Sequence, residues 1–237
     1  MADGLVLASV TFHRGPLVVL DGANVRLPRG GTLVVTGANG VGKSSLLQLC
    51  AGLVSPEAGE VTMDGISLEP HSAEELVRRG IRRACVFQQG GLIANLSALD
   101  NVALPLRYHA DVLGLCEPMI EERARFCLGA VGVAPSSMLA QPGMLSFGIA
   151  KRVAFARAMA IEPNLALFDD PDAGLDRENA EVVEDILKSY RDDPSITMLV
   201  ATNHRALIEH LGVTAHELVG GRLVRLDRAT MPPSSLV

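Results

Sequence analysis

Eight residues early in the chain, Gly37-Ala38-Asn39-Gly40-Val41-Gly42-Lys43-Ser44, carry the spacing G-x-x-x-x-G-K-S. This is chemistry for holding phosphate. Glycines let a backbone turn tightly and aim its N–H groups at oxygen. A helix starting there adds a field that favours negative charge. Lys43 has the reach to meet terminal phosphates, and the Ser44 hydroxyl is a hard oxygen donor suited to Mg²⁺. Ser45 extends the same turn. The motif carries meaning only between a strand and a helix. Gly31-Thr-Leu-Val-Val-Thr36 reads as a short buried strand before it, and Ser45-Leu-Leu-Gln-Leu-Cys50 opens an apolar-periodic helix after it. A chance glycine loop would lack both flanks, so the chain is expected to bind a nucleoside triphosphate.

A second group able to do chemistry is Leu165-Ala-Leu-Phe-Asp169-Asp170-Pro171, an apolar strand ending in two acids. Asp169 there suits Mg²⁺, commonly through water. Two acids at a strand end also suit a helix cap and a turn. Beside a sound phosphate loop, the metal reading is the expectation.

The elements that must position these groups follow from periodicity and punctuation. Residues 5–36 read as an antiparallel β region leading into the phosphate-loop strand. Strands are expected at Glu60–Met63, Ala84–Phe87, Leu165–Phe168, Thr197–Thr202, Glu217–Val219 and Leu223–Leu226. Helical patterns occupy Ala73–Arg79, 98–140 with interruptions at Pro105 and Pro118, Ser146–Ile161, Ala180–Tyr190 and 205–212. The tail, 229–237, is expected to be mobile. At 237 residues the chain suits one domain with a helical insertion.

Composition narrows the classes. A net charge of −6 gives no basic surface for nucleic acid, and none is expected as a partner. No run approaches the roughly 18 apolar residues that span a bilayer, and no secretory leader pattern opens the chain. Cys50, Cys85, Cys116 and Cys127 form no C-x-x-C pair and read as buried thiols, not ligands.

Further segments stand in order around the two chemical groups. Val86-Phe-Gln88 precedes Leu145-Ser146-Phe147-Gly148-Ile149 with its basic, Ala-rich continuation, then Ala173-Gly-Leu-Asp176 and Thr202-Asn-His204. Together with the phosphate loop and the acids, these resemble the Q-loop, signature, D-loop and switch histidine of ABC-transporter nucleotide-binding subunits, over about residues 5–226. Val10-Thr-Phe-His-Arg14-Gly15, Phe87-Gln-Gln-Gly-Gly-Leu-Ile, Asn101-Val-Ala-Leu-Pro-Leu-Arg-Tyr-His109 and Val131-Gly132 resemble the ATPase of Mla-type, MCE-associated lipid transporters.

The resemblance implies an α/β fold: a P-loop NTPase with a RecA-like core, an antiparallel β subdomain and a helical insertion. Residues 1–88 and 162–228 would form the core and β subdomain, and 89–161 the helical part. It implies ATP and Mg²⁺ as cofactors, with Ser44, Gln88 and Asp169 toward the metal. It implies a homodimer, or a pair with a paralogous subunit, in which each ATP meets one chain's phosphate loop and Ser146 and Gly148 of the other. Asp170 would be the base, and Gln88 and His204 would sense the γ-phosphate. A strand-end histidine capping a turn is the plain alternative for His204. The implied partners are an integral-membrane permease and an MCE-type lipid carrier. The implied place is the cytoplasmic face of the inner membrane, held there by the permease.

Three departures qualify this. Asp170 stands where the family has Glu, and losing one methylene withdraws the carboxylate by roughly 1.5 Å. A misplacement of about 1 Å can cost on the order of 10²-fold, so slow hydrolysis is expected. Phe147 replaces a signature glycine, and Ile149 replaces Gln. The Phe147 ring either turns away to pack on the partner or weakens closure on ATP. Arg14 stands where relatives carry an adenine-stacking aromatic; a guanidinium can stack on a base, and a solvated turn arginine is the other reading. Three functions therefore compete: a lipid-transport ATPase, an ATP-binding regulator or scaffold with little hydrolysis, and a non-transport soluble ABC ATPase.

Overall fold

The computed structural model describes residues 4–69 and 73–226. The expected mobile tail, 229–237, lies outside them. In chain order the strands are β1 (Leu5–Arg14), β2 (Leu17–Leu27), β3 (Thr32–Thr36), β4 (Ala58–Met63), β5 (Ile66–Ser67), β6 (Arg83–Val86), β7 (Leu165–Asp169), β8 (Thr197–Ala201), β9 (Ala215–Val219) and β10 (Arg222–Arg225). The α-helices are α1 (Lys43–Cys50), α2 (Ala73–Arg78), α3 (Ala98–Tyr108), α4 (Ala110–Leu113), α5 (Glu117–Ala130), α6 (Phe147–Ala160), α7 (Arg177–Asp192) and α8 (Arg205–Leu211).

The chain divides into two compact units. The first comprises residues 1–71, 166–170 and 187–237. It holds an antiparallel sheet ordered β2-β1-β4-β5, and strands β10-β9-β3-β8-β7 as neighbours in a second sheet. β3 runs parallel to both β8 and β9. β7 and β8 are buried at every residue, which is why their sequences read as unbroken apolar runs. β1 and β2 pair from Leu5 opposite Leu27 to Arg14 opposite Leu17. The Gly15-Pro16 turn closes the pair beside Arg14 and Leu17, and irregularities between Leu7 and His13 shift the register further along.

The second unit comprises residues 72–165 and 171–186. It contains β6, α2 to α6 and the first part of α7. One expected break, at Pro105, is corrected here, while the helical pattern does stop at Leu113 and restart at Glu117, beside Pro118. Pro105 lies inside α3. It forfeits one backbone bond, but Leu99, Val102, Ala103 and Leu106 bury one face of the helix and hold it through the proline. Pro118 sits in the first turn of α5, where its missing N–H would have had no helical partner anyway. The pattern over 98–140 is thus α3, α4, α5 and a short 3₁₀ turn at Pro135–Ser137.

The cysteine expectation also needs correction. Cys50 and Cys127 are buried, but Cys85 is only half-buried and Cys116 is exposed. Desolvation pushes the Cys85 thiol up to about 11, so at neutral pH it is not a nucleophilic thiolate.

Candidate functional site

In the first unit, three chain segments meet at one edge of the parallel strands. The phosphate loop leaves the end of β3. Thr202 N donates to Val35 O at 2.9 Å, and Asp170 N donates to Ala201 O at 2.8 Å. The ends of β3, β8 and β7 therefore lie side by side. Ligands of open α/β sheets sit beyond such strand ends. The edge brings together the phosphate loop, Asp169, Asp170 and the Thr202-Asn203-His204 turn.

Within the loop, backbone geometry explains the glycines. Gly42 caps α1 with φ 112°, and a Cβ there would stand 2.6 Å from Val19 Cγ1. Gly37 has φ 144°, and its Cβ would stand 2.8 Å from Leu218 O. Lys43 is buried and donates through Nζ to Gly37 O at 2.7 Å and Ala38 O at 3.3 Å. These carbonyls take two of the three ammonium donors and pin the charge against the loop that must receive phosphate. Ser44 is half-buried in the first turn of α1. Gly40 φ is 81°, with open space beside it, and Ala38, Asn39 and Val41 complete the turn through Val41 N donating to Ala38 O at 3.2 Å.

The acids differ from one another. Asp169 is the last residue of β7 and is buried. Asp170 has φ 42°, a left-handed conformation that Asp tolerates better than most residues. Ser44 and Asp169 supply hard oxygen donors, the set that fits Mg²⁺. His204 occupies the N-cap of α8 without a side-chain cap bond, so it does not cap that helix. Its backbone N–H donates to Thr202 Oγ1 at 3.0 Å. Arg14 reaches Ser45 Oγ with Nη1 at 3.5 Å; this aims the guanidinium at the start of α1.

In the second unit, Gln88 is exposed, and its carbonyl accepts from Lys151 Nζ at 2.7 Å. Lys151 is buried on α6. Arg157 donates to Gly91 O and Gly90 O, each at 2.8 Å. Arg152 donates to Val131 O and Gly132 O, each at 3.3 Å. Ser146 caps α6, its Oγ accepting from Ile149 N at 3.3 Å. The Phe147 ring lies against Gly174 of the same chain, 3.2 Å from where a Cβ would stand.

Several residues escaped sequence reasoning. Asn203 accepts from Gly37 N at 3.1 Å and so anchors the start of the phosphate loop; it stood inside the switch triplet unremarked. Lys151 and Arg157 lay in an Ala-rich helix, where a buried and a half-buried cation needed partners to be plausible, and that was the available signal. Asn101, fully buried, accepts from Ile93 N and donates to Ile93 O, Leu96 O and Ser97 O. No sequence spacing pointed to it.

This phosphate-loop edge with paired acids defines an ATP-binding cassette. The profile of the ABC transporter family matches residues 20–173, more than half of the chain. The chain belongs to the ABC transporter family and is an ATPase of that class. It is 35% identical over 82% of its length to the intermembrane phospholipid transport system ATP-binding protein MlaF of Haemophilus influenzae, covering 72% of that protein. It is 33% identical over 86% of its length to MlaF of Escherichia coli K12, covering 74% of it. Among solved structures, the dimeric post-hydrolysis state of the cassette MJ0796 bound to ADP and Pi superposes with a TM-score of 0.82 at 30% identity, over 92% of this chain and 96% of that one. Among the described residues, no helix is long and apolar enough to cross a membrane.

Proposed function

We propose that this ATPase powers phospholipid movement through a membrane permease. The observation that carries the reading is the similarity to two MlaF proteins across more than four fifths of the chain. The chain would sit on the cytoplasmic face of the inner membrane, bound to the permease. An MCE-type carrier would receive or deliver the lipid.

In this reading two cassettes pair head to tail, as copies or paralogues. Lys43 and the loop N–H groups hold the β- and γ-phosphates. Ser44, Asp169 and Gln88 would hold Mg²⁺, which would supply positive charge to offset that of the phosphates. Asp170 takes the proton from the attacking water, and His204 contacts the γ-phosphate. Arg14, placed over α1, lies near the nucleotide. Ser146 and Gly148 present the N-terminal turn of α6 to the partner's ATP. The shorter Asp170 carboxylate makes turnover slow. Residues 1–88 and 162–228 act as the nucleotide core and 89–161 as the helical part.

Asp170 and Phe147 favour a second reading, an ATP-binding regulator that hydrolyses little. The deciding experiment is purification of the tagged chain from detergent-solubilised native membranes, with co-purifying proteins identified by mass spectrometry. A permease arriving with an MCE protein is the expected result. A soluble partner, or none, overturns the transport reading.

A further inference from the structure

Asn203 is tied to the phosphate loop at one end of its side chain and offers hydrogen-bond donors at the other. Thr202, just before it, is buried at the end of β8, and its backbone N–H is paired with Val35 O on β3. The Thr202 hydroxyl accepts from His204 N at 3.0 Å, which closes the turn 202–204 locally. Asn side chains in turns commonly do that duty themselves. Here Thr202 does it, and the Asn203 amide reaches instead to a residue 166 positions away: its Oδ1 accepts from Gly37 N at 3.1 Å.

One orientation of the amide satisfies this bond. The Gly37 N–H is a donor, so the amide oxygen must face it and the Nδ2 group must face the other way. Asn203 is exposed at the edge where β3, β7 and β8 end, and Nδ2 makes no hydrogen bond among the described residues. Gly37 also links this amide to Lys43, because its N–H meets Asn203 while its carbonyl takes Lys43 Nζ at 2.7 Å. With Ala38 O as a second acceptor at 3.3 Å, Lys43 keeps one donor for a ligand. The Asn203 NH₂ adds two more at the same end of the loop. A donor oriented before the ligand arrives needs no reorganisation, and a charged acceptor strengthens its bond.

We infer that Asn203 binds the terminal phosphate of a nucleoside triphosphate through Nδ2 while Oδ1 holds the start of the loop. This rests on the nucleotide site proposed above and adds to it a contact beside that of His204. The two neighbours differ in kind. An amide carries no charge and does not titrate, so its contact persists across the pH range in which an imidazole gains or loses a proton. Asn203 thereby helps the site tell a triphosphate from a diphosphate by a means that pH does not change.

The test compares the affinities of the full chain for a non-hydrolysable ATP analogue and for ADP, both with Mg²⁺, by calorimetric titration. Asn203→Asp is the decisive variant. A carboxylate keeps an acceptor for Gly37 N and replaces the donors with negative charge. A residue that only holds the loop would tolerate this, since the bond from Gly37 N would become charge-assisted. A residue that meets the phosphate would not. Asn203→Asp is therefore expected to lower the affinity for the ATP analogue about tenfold more than that for ADP, the scale of one lost hydrogen bond to a charged group. Asn203→Ala removes the donors and adds no charge, so it should lower the same ratio by a smaller factor.

An unchanged ratio in Asn203→Asp would overturn the contact, whether the two affinities hold or fall together. Asn203 is exposed, so both variants are expected to fold, which thermal melting checks; should Asn203→Asp fail to fold, the ratio for Asn203→Ala decides alone. An unaltered chain that binds neither nucleotide would overturn the function proposed above instead.

Discussion

The nucleotide edge of the first unit and the signature region of the second are built in opposite ways. At the nucleotide edge the main chain makes the site. Gly37 and Gly42 sit where a Cβ would strike Leu218 O or Val19, and Lys43 is held by loop carbonyls. In the signature region side chains make the site. Lys151 and Arg157 hold the carbonyls of Gln88, Gly90 and Gly91, and Asn179 fills the space beside Gly148. A site made by backbone cannot change residues without losing its shape. A site made by side chains can be rebuilt with different ones.

The contrast makes predictions of decreasing size. Lys43→Ala removes the charge on which the backbone site depends, so phosphate release should fall on the order of 10²-fold or more. Retained turnover would break the comparison at its strongest point. Asp170→Glu should raise kcat on the order of 10²-fold, by restoring the reach that about 1 Å of misplacement costs. It should also lower thermal stability by about 1 kcal/mol, because Glu is less at ease in the left-handed region. An unchanged kcat would show that the acid's length does not limit the reaction.

Lys151→Met tests whether side chains hold the Q-loop. The Gln88 carbonyl loses a charged donor, and the variant should be destabilised by about 3 kcal/mol. Amide exchange across 88–91 should accelerate at the same time; if it does not, the loop is held by something other than α6. Asn101→Ala leaves the loop at 93–97 without its donor and acceptor and should cost about 2 kcal/mol, read by denaturant midpoint, with nucleotide affinity retained.

The smallest effect concerns pH. Asp176 titrates below its usual value because Asn179 favours its charged form. Its contribution is therefore present throughout the neutral range and down to the ordinary carboxylate value, about pH 4. It is lost only as pH falls further, through the depressed value. The amide resonance of Asn179, followed by NMR, should move below that pH and not above it.

The same contrast explains what the sequence disclosed. The phosphate loop and the acids were legible because glycine spacing, a buried strand and strand-end charge each leave a local mark. The edge at which β3, β7 and β8 end together follows from those marks. Pro105 was misread because its local cost is clear in the sequence, whereas the burial of Leu99, Val102 and Leu106 that offsets it is a tertiary fact. Cys116 was placed inside on residue type alone, but it lies exposed just ahead of α5. Lys151, Asn101 and Asn179 act on partners 63, 8 and 31 residues away, or on groups whose folding no pattern announces. Phe147 was legible as a departure but not as a contact, since Gly174 comes beside it only through the fold.

The left-handed backbone at Asp170 also makes a reagent available. Asn accepts that conformation as readily as any residue but glycine, and it has no carboxylate to take a proton. Asp170→Asn should therefore keep the fold of the strand end while the loaded protein accumulates. Such a chain is bait: incubated with Mg²⁺ and ATP, it would hold its assembly long enough for weak or transient companions to be caught and identified.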